Sequence, residues 1–213
     1  IHSFPTRRSS DLVLNEKGGS GKTTIATNLA AAWHQAGRDV LLLDADPQLT
    51  ALDWSDTGES GVTVAHLGNA SLEDDLPRLG SSFEIVVIDG APRMGSLTAS
   101  AVSVADLVLI PVQPSAADIW SAETVVDVCE ARDTAAAFVV SRAIVGTRES
   151  DVASEALDSF DLPVLDARTN QRVAYVRAMR RGVSVLDVGD DKAAAEVESL
   201  ADEVLTYLNQ SNE

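Results

Sequence analysis

Two lysines bracket a glycine-rich loop near the start of the chain, in the run Lys17-Gly18-Gly19-Ser20-Gly21-Lys22-Thr23-Thr24. The whole sequence contains only three lysines, so two of them in one short loop indicate a local need for positive charge. Glycines allow backbone N–H groups to turn toward an anion, and a following helix adds the positive end of its dipole. We therefore predict a phosphate cradle in which Lys22 reaches the β- and γ-phosphates and the Thr23 hydroxyl binds Mg²⁺. The general pattern has glycine where this chain has Glu16, and a glycine-rich turn with incidental lysines is the alternative.

The elements that position this loop follow from the alternation of apolar and amphipathic runs. Strands are predicted at 12–14, 40–43, 62–67, 85–88, 107–110 and 137–140. Helices are predicted at 21–36, 71–79, 96–105, 117–132, 150–160, 170–181 and 191–208. This order predicts an α/β fold, a single-domain P-loop NTPase with a mainly parallel sheet flanked by helices on both faces.

Polar residues follow the predicted strands at their carboxyl ends, namely Asp44, Asp46, Asp89, Gln113 and Arg142. Ligands of open parallel sheets bind at that edge, which is also the edge where the phosphate loop begins. Asp89 is an acid of the kind that holds Mg²⁺, often through water. Asp44 and Asp46 would repel each other unless a cation compensates, so they are predicted near the metal, and one of them could orient the attacking water. An ordinary acidic turn is the alternative for this pair.

Composition limits the class of protein. A chain of 213 residues with 45% hydrophobic content suits one compact domain. Its one cysteine, Cys129, excludes an internal disulfide framework and a multi-cysteine metal site, and we expect it on the buried side of a helix in a cytoplasmic protein. The net charge of −17 disfavours attraction of the whole surface to nucleic acid or anionic lipid. All three tryptophans, Trp33, Trp54 and Trp120, are expected to pack in the interior.

Residues 1–12 are predicted to be a non-native segment, and 12–213 to be the domain. The run from Ile1 to Leu12 has no initiator Met and neither period of regular secondary structure. It is similar to the translation of a common sequencing adapter, and such segments are set aside from fold reasoning.

The loop and three later motifs together resemble the deviant Walker A ATPases of the ParA/MinD superfamily. The later motifs are Asp44-Ala45-Asp46-Pro47-Gln48, Val87-Ile88-Asp89-Gly90-Ala91 and Ile110-Pro111-Val112-Gln113-Pro114-Ser115. With Asp53-Trp54-Ser55 and Thr169-Asn170-Gln171-Arg172, the chain is most similar to the small ParF-like branch of partition ATPases.

The resemblance implies ATP and Mg²⁺ as cofactors and a role for each matched residue. The loop from Lys17 to Thr24 would bind ATP, with Thr23, Asp44 and Asp89 around the metal. Lys17, Lys22 and Asp46 would be catalytic, Asp46 by positioning the hydrolytic water. Pro111 and Arg142 would lie near adenine.

The resemblance also implies a homodimer with ATP sandwiched between its subunits. Lys17 would cross the interface to contact the partner's ATP, so that ATP binding and self-association become linked. A weak intrinsic ATPase stimulated by a ParB-like centromere-binding protein is the expected activity.

A basic segment interrupts the acidic sequence, because 167–182 contains five arginines and no acid. They are Arg168, Arg172, Arg177, Arg180 and Arg181. We predict a helix with Val173, Val176 and Met179 toward the core and arginines along the exposed side, which suits nonspecific, nucleoid-associated DNA binding. Pairing of some arginines with acids across the dimer, or with nucleotide, is the alternative.

The sequence thus favours a partition ATPase for plasmid or chromosome segregation. A MinD-like positioning ATPase, or another ParA-like protein that positions cargo, is the alternative. The chain's last residues have no basic amphipathic face, so no membrane partner is expected. The single cysteine argues against an iron–sulfur relative, no amidoligase substrate pocket is identified, and a scaffold that binds ATP without hydrolysing it stays open.

Overall fold

The computed structural model describes residues 9–13, 15, 17–66, 72–79, 82–92 and 95–211. Six strands of this part of the chain form one sheet: β1 Ser9–Val13, β2 Val40–Asp44, β3 Thr63–His66, β4 Ile85–Asp89, β5 Leu107–Val112 and β6 Ala136–Val140. Their order across the sheet is β3-β2-β4-β1-β5-β6, and all neighbouring strands run parallel. The predicted α/β class with a parallel sheet is confirmed.

Within the described residues, eight α-helices connect and cover these strands. They are α1 Lys22–Gln35, α2 Thr50–Thr57, α3 Leu72–Leu79, α4 Ser96–Val104, α5 Ala116–Ala131, α6 Glu149–Leu157, α7 Val173–Arg181 and α8 Asp191–Ser211. Short 3₁₀ turns occupy Asp158–Phe160 and Val185–Asp187. Seven of the eight helices were predicted within a few residues, and α2 was not.

The core consists of two apolar layers, one on each face of the sheet. Alternate residues of the strands enter different layers, as Leu42 and Leu43 of β2 do. The first layer packs against α1 and α8 through residues such as Leu29 and Leu200. The second layer packs against α3 to α6, for example through Val125. Because strands β2, β4, β5 and β6 are buried along their whole length, their sequences read as continuous apolar runs.

Two strand boundaries differ from the predicted ones. Strand β1 begins at Ser9 rather than Leu12, and it pairs with both β4 and β5. Backbone pairing uses groups that any residue supplies, which is why a polar start does not prevent a strand. The suggested adapter origin of residues 1–12 concerns their source and stays a prediction, and 1–8 lie outside the described residues. Strand β5 continues through Pro111, which pairs with Val139 of β6 and, among the described residues, with no residue of β1. Proline is tolerated at a position that has a strand on one side.

The predicted orientation of α7 is wrong. Val173 and Val176 are 72% and 70% exposed, whereas Ala174 and Ala178 are buried. The two alanines share one face with the half-buried Met179 nearby, and they pack against α8 and the 185–187 turn. Small side chains permit close approach of the helix, so the less apolar stripe is the one that faces inward.

The remaining packing expectations have mixed outcomes. Trp33 and Trp54 are buried, each with its indole N–H on a backbone carbonyl, at Ala201 and Val183. Trp120 was expected to pack, but it is 71% exposed on α5. Cys129 is buried on the inner side of α5, and burial raises the pKa of its thiol to about 11. Within the described residues, no helix has both the length and the apolar character needed to cross a membrane.

Candidate active site

The glycine-rich loop lies between β1 and α1 at the carboxyl edge of the sheet. Gly19 and Gly21 have φ angles of 80° and 105°, a region that residues with a Cβ rarely adopt. Gly21 directly precedes α1, and no side chain caps the first N–H groups of that helix. These donors are therefore available to an anion, as expected for a phosphate site.

Asn15 connects the start of the loop to the neighbouring strand β5. Its Oδ1 accepts a hydrogen bond from the Lys17 N–H at 2.9 Å, and its Nδ2 donates to the Pro111 carbonyl at 2.7 Å. Asn15 is fully buried, so these bonds are shielded from water. The predicted place of Pro111 near adenine stays a prediction. Pro111 is buried inside β5, its carbonyl holds Asn15, and it does not line the cavity described below.

The middle of the loop is held by three polar side chains from the ends of β5 and β6. Gln113 Nε2 donates to the Gly19 carbonyl at 2.7 Å, and Arg142 Nη1 reaches the same carbonyl at 3.4 Å. Ser141 Oγ donates to the Ser20 carbonyl at 2.6 Å. These bonds occupy the Gly19 and Ser20 carbonyls and restrain the loop in the absence of a ligand.

Lys22 is the buried cation of the site, with 6% of its surface exposed. Its Nζ donates to the Lys17 carbonyl at 3.2 Å. Burial lowers the pKa of Lys22, and the negative charges of Asp89 and Asp46 oppose that change. Asp89 and Asp46 act on this ammonium only through their charge, without a direct ion pair. A bound phosphate group would supply an anion in direct contact with it.

Asp89 ends β4 opposite Asp44 in the strand register, and it is fully buried. Burial raises the pKa of Asp89 to about 7, and the charges of Asp44 and Asp46 add to that effect. The Thr23 hydroxyl and Lys22 act in the opposite direction. By distance and angle, neither carboxylate oxygen has a hydrogen-bond partner among the described residues, although the Thr23 hydroxyl lies near enough to stabilise the charge. A buried carboxylate without partners is costly, so this position indicates a binding site for a cation or its water.

Asp44 has a structural role that its place in the sequence did not predict. Its Oδ1 accepts from the Asp46 N–H at 3.0 Å, and its Oδ2 accepts from Ala51 and Leu52 N–H at 2.9 and 3.0 Å. The last two donors belong to the first turn of α2, so Asp44 anchors that helix. Its predicted place around the metal stays a prediction, but three backbone bonds already hold it.

Asp46 lies at the mouth of the site with 9% of its surface exposed. Its Oδ1 accepts from the Gln48 N–H at 2.9 Å, which closes a local turn. Among the described residues, its Oδ2 has no hydrogen-bond partner. An oriented carboxylate with one free oxygen can accept a hydrogen bond from a water molecule, as the predicted role requires.

The residues present fit Mg²⁺. Thr23 is the second residue of α1, and its hydroxyl lies close enough to the Asp89 carboxylate for the two to interact. The described residues include no group of three or more His, Cys, Asp or Glu side chains arranged to hold a metal ion. Mg²⁺ commonly uses one or two protein oxygens together with substrate phosphates and water, so the available set is suitable for it.

Lys17 is bound within its own chain. Its Nζ donates to Asp118 Oδ2, and the Ser115 hydroxyl donates to the same oxygen. The Asp118 side chain is only 2% exposed, and its Oδ1 has no partner in the described part of the chain. Asp118 was not predicted as a site residue. A Ser-x-x-Asp capping pattern at Ser115 marks the start of α5 and was the available signal.

A cavity of about 1180 Å³ opens in front of the loop, large enough for a nucleoside triphosphate. Its phosphate end is lined by Gly18, Lys22, Thr23 and Asp46. Residues 141–142 and 169–173 also line the cavity. Four exposed apolar side chains also line it, namely Ile144, Val145, Val173 and Val176. The cavity thus brings together Asp46, Arg142 and six of the predicted loop residues, namely Gly18, Gly19, Gly21, Lys22, Thr23 and Thr24. Lys17, Ser20, Asp44 and Asp89 do not line it.

The predicted arginine surface is smaller than expected. Arg172 Nε donates to Glu196 at 2.6 Å, so this guanidinium is paired within the chain and is less available to DNA. Arg168 pairs with Asp151 at 3.2 Å on the surface, where such pairs contribute little. Arg177, Arg180 and Arg181 are exposed on α7 and form no ion pair within the described residues. Two of the five arginines thus pair with acids of their own chain, whereas the alternative of pairing across a dimer or with nucleotide stays a prediction.

Comparisons with known proteins agree with this geometry. Residues 12–188 match the CobQ/CobB/MinD/ParA nucleotide binding domain. The chain is 33% identical to the maintenance of carboxysome distribution protein A of Halothiobacillus neapolitanus over 208 residues, covering 93% of this chain and 94% of that protein. The protein of the same name from Gloeobacter kilaueensis is 36% identical over 181 residues, covering 82% of each chain. Protein ParA of Rhizobium radiobacter is 31% identical over 50% of each chain.

Solved structures with low sequence identity share the fold. The ATP complex of a Cyanothece McdA variant has a TM-score of 0.77 at 17% identity, covering 94% of this chain and 97% of that one. The MinC:MinD cell division complex of Aquifex aeolicus has a TM-score of 0.78 at 20% identity, covering 93% and 96%. At these identities the likeness establishes the architecture alone.

Proposed function

Because the chain belongs to the CobQ/CobB/MinD/ParA nucleotide-binding family, we propose that it is an ATPase that positions a cellular cargo, with the carboxysome as the first candidate. The predicted membership of the ParA/MinD superfamily is confirmed, while the ParF-like branch stays a prediction. The sequence motifs favoured plasmid or chromosome partition, and the comparisons support the alternative, a cargo-positioning protein, better. The observation that carries this proposal is the match along nearly the whole chain to a carboxysome distribution protein.

The chain is an ATPase that uses Mg²⁺, and the site residues divide the chemistry among themselves. The N–H groups of the loop and the buried Lys22 ammonium bind the phosphates and stabilise the charge that develops during transfer. Bound Mg²⁺ offsets the charge of the phosphates, and Thr23 and Asp89 would hold it directly or through water. Asp46 orients the attacking water with its free Oδ2. No acid follows Asp89, where Gly90 stands, which fits slow intrinsic turnover.

We propose that two copies associate around ATP, with Lys17 of each contacting the nucleotide of the other. Four exposed apolar residues, Ile144, Val145, Val173 and Val176, rim the cavity and would be covered by such association. Lys17 must leave Asp118 to reach the other subunit. ATP therefore competes with an internal carboxylate for this lysine, which makes dimerisation depend on the nucleotide.

Nonspecific DNA is the proposed track on which the dimer is retained. Arg177, Arg180 and Arg181 form an exposed basic patch on α7 beside the cavity. In a chain with net charge −17, such a patch concentrates the attraction to phosphates at one place. Dimerisation would double the patch and offset the repulsion from the acidic body of the protein. A cargo-bound protein that stimulates hydrolysis, ParB-like in its role, completes the proposed cycle.

Plasmid or chromosome partition is the second candidate. It is supported by 31% and 30% identity to the ParA proteins of Rhizobium radiobacter and Myxococcus xanthus, over 50% and 47% of this chain. These matches cover half of each relative, whereas the carboxysome relatives match along most of theirs. The two candidates share the ATPase and differ in the cargo.

Retention on DNA tests the mechanism that both candidates share. Purified protein is passed over immobilised DNA of random sequence with ATP, with ADP or without nucleotide, and hydrolysis is measured in parallel. We expect retention only with ATP, and slow hydrolysis. Retention that is indifferent to nucleotide would contradict the proposed cycle. Binding of ATP with no hydrolysis, with or without DNA, would identify a scaffold instead.

The cargo is tested by replacement in cells. The gene, with that of its partner, is expressed in a carboxysome-bearing bacterium that lacks its own distribution protein, and carboxysome spacing is imaged. A parallel strain carries an unstable plasmid from which the partition ATPase has been removed, and plasmid loss is counted. Even spacing of carboxysomes without plasmid stabilisation supports the first candidate. The opposite pattern supports partition.

A further inference from the structure

Trp120 of α5 differs from the other two tryptophans in its exposure to water. Its side chain is 71% exposed, whereas Trp33 and Trp54 are each 2% exposed. Ala116 and Ala117, one turn earlier on the same side of the helix, are exposed and too small to cover the indole. An indole in water forgoes the stabilisation that burial gives, and tryptophan is enriched at the centres of protein interfaces. Trp120 therefore marks a surface that another molecule can cover.

The first turn of α5 connects this surface to the loop lysine. Asp118, on the inner side of that turn, accepts a hydrogen bond from Lys17 Nζ. Trp120 follows Asp118 by two residues, which is about 3 Å along a helix. The Lys17 ammonium can move only as far as its flexible four-carbon stem allows. When it contacts the nucleotide of another subunit, the first turn of α5 must therefore lie against the rim of that subunit's cavity.

The rim of the cavity on α7 is apolar and carries one cation. Val173 and Val176 are 72% and 70% exposed, and both line the cavity. Arg180, one turn after Val176, lines it as well, whereas Arg177 and Arg181 do not. Helix α7 thus has a cavity side with two valines and one arginine, and two further arginines away from the cavity that stay available to DNA.

We infer that Trp120 of one copy packs against Val173 and Val176 of a second copy, so that α5 of each subunit covers α7 of the other. The indole and the valines would bury apolar area from both sides. Glu123, one turn after Trp120, and Arg180 carry opposite charges, which favours this orientation of the two helices more than it adds affinity. In a two-fold dimer the contact forms twice, because each subunit donates its indole and receives the other's.

The charges around Trp120 disfavour the other arrangements that would cover it. Contact of α5 with the same helix of a second copy would bring Glu123 against another Glu123, and like charges repel. Asp127 and Glu130 continue the acidic side of the helix, so nucleic acid and anionic lipid are repelled as well. A cationic segment of a different protein also suits these acids, and it is one of the outcomes that the test separates.

The indole itself reports the contact. The full chain is titrated with ATP or ADP, each with Mg²⁺ and with no other protein, while tryptophan emission and sedimentation are followed. Burial moves indole emission to shorter wavelengths, so ATP should cause this shift at the same midpoint as dimer formation, and ADP should not. Trp120→Phe should still form dimers but lose the shift. Dimers that form without a shift would overturn the inference and leave Trp120 to a different protein.

The strength of the contact is measured at saturating ATP. Trp120→Ala should raise the dissociation constant of the dimer at least about 30-fold, and Trp120→Phe, which keeps an aromatic ring, should restore most of the affinity. Val152→Ala is the control, because Val152 is also exposed, at 60%, but lies on α6 and does not line the cavity. ATP binding by the single subunit should be unchanged in Trp120→Ala, which shows that the variant is folded.

The partner side of the contact is tested by combining variants. Val173→Ala with Val176→Ala should weaken the dimer, and adding Trp120→Ala should weaken it little further, because all three changes remove one contact. Fold changes that multiply would mean separate contacts and would overturn the inference.

The inference rests on the proposed dimer around ATP. If the unaltered chain stays monomeric with ATP, the dimer and this contact both fail. If it dimerises and Trp120→Ala has no effect, the contact fails and the proposed function is unaffected.

Discussion

Two basic regions of this acidic chain, the loop 17–24 and the helix α7, hold their positive charges in opposite ways. The loop lysines are engaged by the chain itself, since Lys17 pairs with Asp118 and Lys22 is buried against the Lys17 carbonyl. On α7, the guanidinium groups of Arg180 and Arg181 extend into solvent, and neither forms an ion pair with a described residue.

The difference separates two uses of positive charge. A cation that is partly buried and paired with a carboxylate interacts strongly with it. Moving the cation away leaves the buried carboxylate without its counter-charge, which costs free energy. An exposed cation moves freely, acts over about a Debye length and weakens as salt is added. The loop is thus suited to chemistry on one phosphate group, and α7 is suited to the capture of a large anionic surface.

The largest effect is expected from removal of the held cation. Lys22→Ala deletes the buried ammonium that stabilises charge at the transferring phosphate, so ATP hydrolysis should fall by about 100- to 1000-fold, as measured by phosphate release. The third lysine of the chain supplies the control, because Lys192 is exposed on α8 and Lys192→Ala should hydrolyse ATP normally. Equal rates for the two variants would show that the loop does not act through Lys22.

A second large effect concerns stability of the nucleotide-free protein against pH. Burial raises the pKa of Asp89 to about 7, against 3.8 for an unperturbed aspartate. Between these values the folded state binds a proton that the unfolded state has lost. The contribution of this group to the free energy of unfolding is therefore full at low pH and is lost as pH rises through 7. The slope from this group approaches about 1.4 kcal/mol per pH unit between the two pKa values.

Chemical denaturation at several pH values measures this slope. Asp89→Asn lacks the titrating group, so its free energy of unfolding should fall less steeply than that of the unaltered chain as pH rises through the interval below 7. Asp202→Asn, at an exposed position of α8, should retain the original slope. A slope that does not change in Asp89→Asn would mean that its carboxylate is not held protonated in the folded protein.

The same contrast explains what could be predicted from the sequence. The loop was identified because it depends on glycine conformations and on a fixed spacing, and both are visible in a short stretch of the sequence. Strands β2, β4, β5 and β6 were recognised because they are buried on both faces and read as apolar runs. Asp46 and Asp89 follow from their place at strand ends.

The missed features depend on packing between distant segments. Helix α2 begins where Asp44 accepts two of its N–H groups, whereas the position of that carboxylate in the sequence indicated a role at the metal or in an acidic turn, and no helix. The orientation of α7 was mistaken because Ala174 and Ala178, rather than the larger valines, make the close contact. Asp118 and Glu196 lie 101 and 24 residues from the cations they bind, so no local pattern reveals these pairs.

The exposed cations give the next prediction. Replacement of Arg177, Arg180 and Arg181 by Ala should reduce retention on random DNA by about tenfold or more and should flatten its dependence on salt, because up to three phosphate contacts per subunit disappear. ATP hydrolysis without DNA should be nearly unchanged. Arg168→Ala is the control, since its guanidinium is already paired with Asp151. DNA retention that survives the triple change would exclude α7 as the DNA surface.

The smallest effect, about tenfold, is expected from Asp118→Asn, which frees the held Lys17. When Lys17 moves to the nucleotide of another subunit, it leaves a carboxylate that is 2% exposed and lacks a partner at Oδ1 among the described residues. Asparagine has the same shape without the charge, so this penalty is removed, and dimers should form at about tenfold lower ATP concentration.

Sedimentation across an ATP titration measures the midpoint of dimer formation. Asp127→Asn, exposed on the same helix, should keep the original midpoint, whereas Lys17→Gln should abolish dimerisation. A higher midpoint in Asp118→Asn would mean that Asp118 supports the dimer instead of competing with it.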